Sequence, residues 1–178
     1  MPDAGQTPAL PPLAPLVAVL ERLEGAGIEA ALGGSALLVS LGLADAARDW
    51  DVTTDAAIET LDTLFAGIPH GRAGSSGVHA DHKLMFDGGS VELISRFAFR
   101  HDAGVTHIPT IVASRWRGLP VGSPEAWAAA YALLGREVKA DLLFAHLTAA
   151  GADRSALERL LAQPLPGALR SRLAALER

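Results

Sequence analysis

Two aspartates one residue apart, Asp49 and Asp51, lie in the run Arg48-Asp49-Trp50-Asp51-Val52. On an extended strand, side chains two apart project from the same face. The two carboxylates then stand together, while Trp50 and Val52 turn the other way, toward a core. Neighbouring carboxylates repel, and keeping both ionised costs free energy. A divalent cation removes that cost. Mg2+ is a hard ion that takes one or two carboxylates, waters and substrate phosphates. A third acid, Glu92, interrupts the apolar run Val91-Glu92-Leu93-Ile94. A charge is uncommon there unless it is paired or faces solvent. If this run neighbours the Asp49–Asp51 strand, a strand spacing of ~4.8 Å brings the three acids close together. Three carboxylates on adjacent strands suit two Mg2+ ions, which clamp the attacking and leaving oxygens of phosphoryl or nucleotidyl transfer. Asp81 and Asp87 are rivals for the third place, although Asp87 reads as a turn residue and Asp81 lies near a loop.

Gly33-Gly34-Ser35 falls where a short apolar run gives way to a helical pattern. Glycine lets backbone approach a ligand closely. A helix start offers free N–H groups to a phosphate, and Ser35 either caps the helix or binds a phosphate oxygen. His79 and His82 are three apart, so a strand sends them to opposite faces, a poor arrangement for one metal. Trp50, Trp116 and Trp127 read as core. Arg96, Arg100, Arg115 and Arg117 either steer an anionic acceptor such as RNA or keep a strand edge charged.

The elements that must position these residues follow from pattern. Pro2, Pro8, Pro11 and Pro12 mark residues 1–12 as a flexible tail. Pro15 starts a helix whose stripe is Leu16, Val17, Leu20 and Leu23, ending near Gly25-Ala26-Gly27. Residues 28–32 are a short strand and 36–43 a helix. Trp50–Thr54 is a strand and 56–66 a helix. Residues 71–77, with three glycines and two serines, read as a flexible loop. The runs 78–86 and 91–97 flank Asp87-Gly88-Gly89-Ser90 as a hairpin, and residues 105–121 are further extended chain. Ser123-Pro124-Glu125 opens a helix with cap, proline and acid in favourable places. Helices then cover 125–134, 136–149, 155–162 and 167–177. The fold class is α/β (α+β): a mixed, mostly antiparallel sheet with flanking helices, followed by a C-terminal helical segment. The α/β core spans 13–122, and 123–178 form a helical region packed on it.

Composition sets outer bounds. The chain has 178 residues, 49% hydrophobic and 20% charged, with net charge −5. That is one domain, with room for a helical appendage. It has no cysteine, which excludes disulfides, thiolate catalysis and zinc–cysteine sites. A protein built only to hold nucleic acid is usually basic overall. The acidity is concentrated in residues 1–90, with 12 acids against 4 basic side chains. An acidic first half facing a mildly basic remainder suits a metal plus a phosphate. No apolar run reaches the ~18 residues of a membrane span, and no basic residue precedes Arg22. A cytoplasmic protein without a signal peptide is expected.

Taken together, these residues resemble the nucleotidyltransferase superfamily in its polymerase-β-like minimal fold. The likeness rests on Gly34-Ser35, a helix, Asp49-x-Asp51 after thirteen intervening residues, and Glu92 on a later strand. It covers roughly residues 28–97. Gly135-Arg136-Glu137-x-Lys139-x-Asp141 is also similar to bacterial nucleotidyltransferases related to abortive-infection and toxin proteins. The resemblance implies that Asp49, Asp51 and Glu92 are catalytic and bind Mg2+, with Glu92 able to accept a hydroxyl proton. It implies that Gly33, Gly34 and Ser35 bind a nucleoside triphosphate such as ATP. Arg136 and Lys139, three apart on one helix face, would stabilise the leaving pyrophosphate. Lys83 falls opposite Glu92 if Asp87-Gly88 is the turn; a Gly88-Gly89 turn puts Met85 there. The expected activity is Mg2+-dependent transfer of a nucleoside monophosphate to a hydroxyl on a small molecule, RNA or protein, with no membrane partner. The alternatives are a catalytically silent nucleotide-binding or interaction module of a toxin–antitoxin or defence system, and a metal-dependent phosphoesterase.

Overall fold

The computed structural model describes residues 8–177. Of the segment 1–12, residues 1–7 lie outside the described residues. The remainder is docked: the Ala9 N–H donates to the Asp45 carbonyl at 3.0 Å, and the Trp50 indole N–H donates to the Pro12 carbonyl at 3.0 Å.

Among the described residues, seven helices and nine strands follow in chain order: α1 (Leu13–Gly25), β1 (Ala31–Leu32), α2 (Gly34–Ser40), β2 (Trp50–Thr54), α3 (Ile58–Leu64), β3 (Gly71–Ala73), β4 (His82–Phe86), β5 (Val91–Ser95), β6 (Ala98–His101), β7 (Gly104–His107), β8 (Val112–Trp116), β9 (Leu119–Gly122), α4 (Pro124–Leu133), α5 (Glu137–Ala150), α6 (Arg154–Leu161) and α7 (Gly167–Ala175). Seven strands form one sheet in the order β3-β4-β5-β2-β1-β9-β8. Its pairings are antiparallel except β2–β5 and β1–β9. The sheet is therefore mixed and mostly antiparallel, as the pattern of short strands and helices predicts.

The sheet separates two cores. On one face, Leu16, Val19 and Leu23 of α1 and Ile58 and Leu61 of α3 pack against Trp50, Val52, Val91 and Leu93. On the other, α4–α7 pack with Leu37, Ile94, Phe97, Phe99 and Val121. Period-2 alternation decides which side chains go where. Trp50 and Val52 are fully buried in the first core, so Asp51 must face the second.

Three expectations differ in detail. The strand at 28–32 is only Ala31–Leu32, the two residues that pair with Thr53 and Val52 of β2. Residues 71–77 are not an open loop: Gly71–Ala73 pair with Lys83–Met85, and Ser76 bridges His79. The strand expected from residue 78 begins at His82. Residues 78–80 instead lie along a separate two-stranded sheet, β6–β7, with the Arg100 N–H donating to the Val78 carbonyl at 2.7 Å and the Ala80 N–H to the Ala98 carbonyl at 2.9 Å. Apolar content alone does not show that a run changes sheets at Ser95–Ala98. Among the described residues, no helix is long and apolar enough to cross a membrane.

Candidate active site

The acids are assembled by strand register. Asp51 on β2 lies directly beside Glu92 on the parallel neighbour β5. Asp49 precedes β2 by one residue, and all three line a cavity of about 200 Å3. The same cavity is lined by Ser35, Arg136 and Lys139, which approach from α2 and the start of α5. A wider groove of about 570 Å3 shares Arg48, Arg136 and Lys139 with it and runs outward along residues 135–139. The candidate residues from the two halves of the chain thus meet at one place.

Both glycines of the bend are fixed by what they touch. Gly33 lies so close to the Trp127 indole that a Cβ would stand 1.9 Å from its ring atoms. Gly34 has φ +56°, and its Cβ would stand 1.9 Å from Asp51 Oδ2. The bend is pressed between α4 on one side and the acid strand on the other, and only glycine fits either place.

The hairpin closes through a short 3-10 turn at Asp87–Gly89, with Phe86 opposite Val91 and Met85 opposite Glu92. Of the two registers open to the sequence, this is the one that places Met85 across from Glu92. Lys83 nevertheless reaches Glu92 diagonally on the same face, and its Nζ donates to Oε2 at 2.7 Å. Asp87 accepts from the Ser90 hydroxyl in the turn, and Asp81 is buried against His79. Neither rival acid lines the cavity, which leaves Glu92 as the third acid there.

Charge at the site is strongly perturbed. Burial, then the charges of Asp49 and Glu92, push Asp51 from an ordinary 3.8 up to about 6. Lys83 and Arg136 oppose this. Lys139 is lowered by burial and by Arg136 beside it; its Nζ donates to the Ser35 hydroxyl at 2.9 Å and stands 5.3 Å from the Tyr131 ring centre. Tyr131, fully buried, is raised by burial and by Asp51. Its hydroxyl is buried close to Ser35 and outside good hydrogen-bond geometry.

The donor chemistry fits a hard divalent cation. The candidate ligands offer only carboxylate oxygens, and Asp49 and Glu92 add to burial in raising the Asp51 pKa, which Lys83 and Arg136 offset only in part. Yet among the described residues no group of three or more His, Asp or Glu is gathered closely enough to hold a metal ion. The acids share a cavity without forming a closed cage, and Glu92 is engaged by Lys83.

Other candidates disperse. Arg96 lines a separate cavity of about 450 Å3 with His107 and Arg159. Arg115 lines another of about 510 Å3 beside α1, Arg100 binds the carbonyl of His79, and Arg117 stacks on Trp116. They do not make one basic face. His82 turns away from the cavity that His79 lines, and its Nδ1 is buried without a partner. Sequence reading did not find the Trp127–Gly33 contact, Arg48 or Tyr131 at the site. Only Arg48, next to Asp49, carries a local signal.

No family model matches this sequence, and neither does any curated protein. Two solved structures are similar in fold. One is the crystal structure of a candidate nucleotidyltransferase from Thermotoga maritima, at 24% identity and a TM-score of 0.52, covering 74% of this chain and 89% of that one. The other is the solution structure of the antibiotic-resistance factor ANT(2'')-Ia, at 20% identity and a TM-score of 0.53, covering 91% of this chain and 92% of that one. The chain has the nucleotidyltransferase fold.

Proposed function

We propose that the protein is a Mg2+-dependent nucleotidyltransferase: an acceptor hydroxyl attacks the α-phosphate of a nucleoside triphosphate, and pyrophosphate leaves. The observation that carries this reading is the direct pairing of Asp51 with Glu92 on neighbouring strands, facing one cavity with Asp49, Ser35 and Lys139. Asp49 and Asp51 would hold the metal, with Glu92 joining them if Lys83 releases it. When bound, Mg2+ would neutralise charge developing on the phosphate oxygens.

The remaining work falls to the chain's own side chains. Ser35 and the tightly packed Gly33-Gly34 bend would hold the triphosphate against the sheet. Arg136 and Lys139 approach from the opposite wall and would offset the charge on departing pyrophosphate. Lys139 already donates to Ser35, so the cation is oriented before any nucleotide arrives. Little covalent chemistry is asked of the protein. Positioning and charge supply most of the rate. The neighbour is an antibiotic-resistance factor, which makes a hydroxyl-bearing antibiotic such as an aminoglycoside one acceptor worth testing. A reaction fed by nucleoside triphosphates would run in the cytoplasm.

The test is incubation with each α-labelled ribonucleoside triphosphate, Mg2+, and aminoglycoside, RNA or cell extract as acceptor. Label should move to an acceptor with release of pyrophosphate, and Asp49→Asn should stop it. A second reading, a silent nucleotide-binding module of a toxin–antitoxin or defence system, draws on the Lys83–Glu92 pair, which keeps the third acid engaged. Nucleotide binding without transfer to any acceptor would favour it. Release of phosphate or nucleotide with no acceptor present would instead mark a phosphoesterase.

A further inference from the structure

His79 enters the candidate cavity from a segment that none of the roles above uses. His79 lines the same cavity as Asp49, Asp51 and Glu92. Its side chain is one-third exposed (33%), whereas that of Asp81, directly behind it, is 1% exposed. His79 Nδ1 lies 3.3 Å from Asp81 Oδ1. An ionised carboxylate can only accept hydrogen bonds. With that carboxylate ionised, a neutral His79 carries its proton on Nδ1 and its lone pair on Nε2.

The segment carrying this pair is braced. The His79 N–H donates to the Ser76 carbonyl at 3.0 Å, and the Ser76 N–H donates back at 3.1 Å. The Arg100 guanidinium donates to the His79 carbonyl at 2.6 Å. The ring packs against Phe99, with centres 5.5 Å apart. A histidine serving only to satisfy a buried aspartate has no need to line the cavity of the acids, as His79 does. Glu92, the other candidate proton acceptor, is neutralised by Lys83 at 2.7 Å.

We infer that His79 is the general base of the transfer reaction and that Asp81 is its positioning residue; this rests on the nucleotidyl-transfer reading above. As the acceptor oxygen attacks the α-phosphorus, its proton passes to His79 Nε2. The new O–P bond forms, the bond to pyrophosphate breaks, and the pyrophosphate oxygen takes that electron pair. The imidazolium, steadied by Asp81, then loses its proton to solvent.

Substitution and spectroscopy test this together. His79→Gln keeps a donor for Asp81 and so preserves the fold. Its kcat should fall by about 10²–10⁴-fold, the usual contribution of general base catalysis, with the KM for the nucleoside triphosphate nearly unchanged. Added imidazole should restore activity to His79→Ala. Asp81→Asn should lower kcat in the wild-type background and have no further effect in His79→Ala. Independently of activity, long-range 1H–15N NMR at pH 8 should show His79 as the Nδ1–H tautomer, lost in Asp81→Asn. A fully active His79→Gln in an active wild-type background, or an Nε2–H tautomer, overturns the assignment while the transferase reading stands. A wild type that transfers no label to any acceptor overturns the reading itself, and with it the base.

Discussion

Asp51 is the residue on which the site's electrostatics turn. Its pKa is raised from 3.8 to about 6, first by burial and then by Asp49 and Glu92. The folded chain therefore keeps this proton in a window where the unfolded chain has released it. The stability this group contributes is complete below about pH 4, is lost as pH rises to about 6, and stays lost above. Two pH units correspond to at most about 3 kcal/mol, and residual exposure makes about 1–3 kcal/mol the expected size. Asp51→Asn should thus match wild type in denaturant stability at pH 4 and exceed it at pH 8. Mg2+ should raise the melting temperature of wild type at pH 8 and leave Asp51→Asn unmoved. Equal stability of the two proteins at both pH values would remove the premise of a metal-demanding site. Gly34 gives a complementary prediction. Gly34→Ala forces a side chain into a left-handed backbone, about 1–2 kcal/mol by itself, and toward Asp51 Oδ2. It should melt lower than wild type and lose Mg2+-dependent stabilisation. If it does neither, the bend is not pressed on the acid strand.

The elements that aim these residues differ in how plainly the sequence announces them. The Trp50–Thr54 strand was legible because Trp50 and Val52 alternate with polar neighbours, and burial then obeys the period of two. The start of the C-terminal helices was legible from Ser123-Pro124-Glu125. The hairpin register was not, because it depends on how Asp87 and Gly88 take positive φ in a four-residue connection. Contacts between distant segments were not legible either: Lys139 meets Ser35 across 104 residues, and no local pattern encodes that meeting. Asp81 looked like a loop acid; its burial comes from the β6–β7 sheet folding beside it, an element the sequence does not announce. The device that orients α4 is similarly hidden in one side chain. Glu125, 3% exposed, accepts from the Ser123 hydroxyl at 2.5 Å and from the Asp153 N–H at 2.7 Å. It ties the start of α4 to the start of α6, so Trp127, two residues on, is held against Gly33. Glu125→Ala removes a buried acceptor and leaves the half-buried Asp153 N–H without its partner, a loss of roughly 1–3 kcal/mol. It should lower the urea midpoint by a corresponding amount and weaken nucleotide binding through Trp127. Ser123→Ala should cost less, about 1 kcal/mol, as a lost cap. A variant Glu125→Ala as stable as wild type would show that α4 is seated by its apolar face alone.

At the scale of the molecule, the question is whether the α/β part stands without the helices that follow it. The sheet has a core on each face, and α4–α7 supply most of one. Cutting the chain after Gly122 would uncover Leu37, Leu38, Ile94, Phe97, Phe99, Ile108 and Val121. At about 1.5–3 kcal/mol for each buried side chain returned to water, the loss is roughly 10–20 kcal/mol. Domains of ordinary stability have only about 5–15 kcal/mol in total. Even allowing that unfolded chains hide part of their apolar surface, the truncated chain has little or nothing left. The same cut removes Arg136 and Lys139 from the cavity wall, so folding and phosphate-side charge depend on one segment. A chain of residues 1–122 should therefore show no cooperative thermal transition, collapsed amide dispersion by NMR and strong binding of a hydrophobic dye, whereas the full chain melts in one step. Adding residues 123–178 as a separate peptide should restore cooperativity in part, because the lost core is one contiguous face. A 1–122 chain that melts cooperatively would mean that the first core alone folds the sheet, and that the helical region is an attachment to a finished domain.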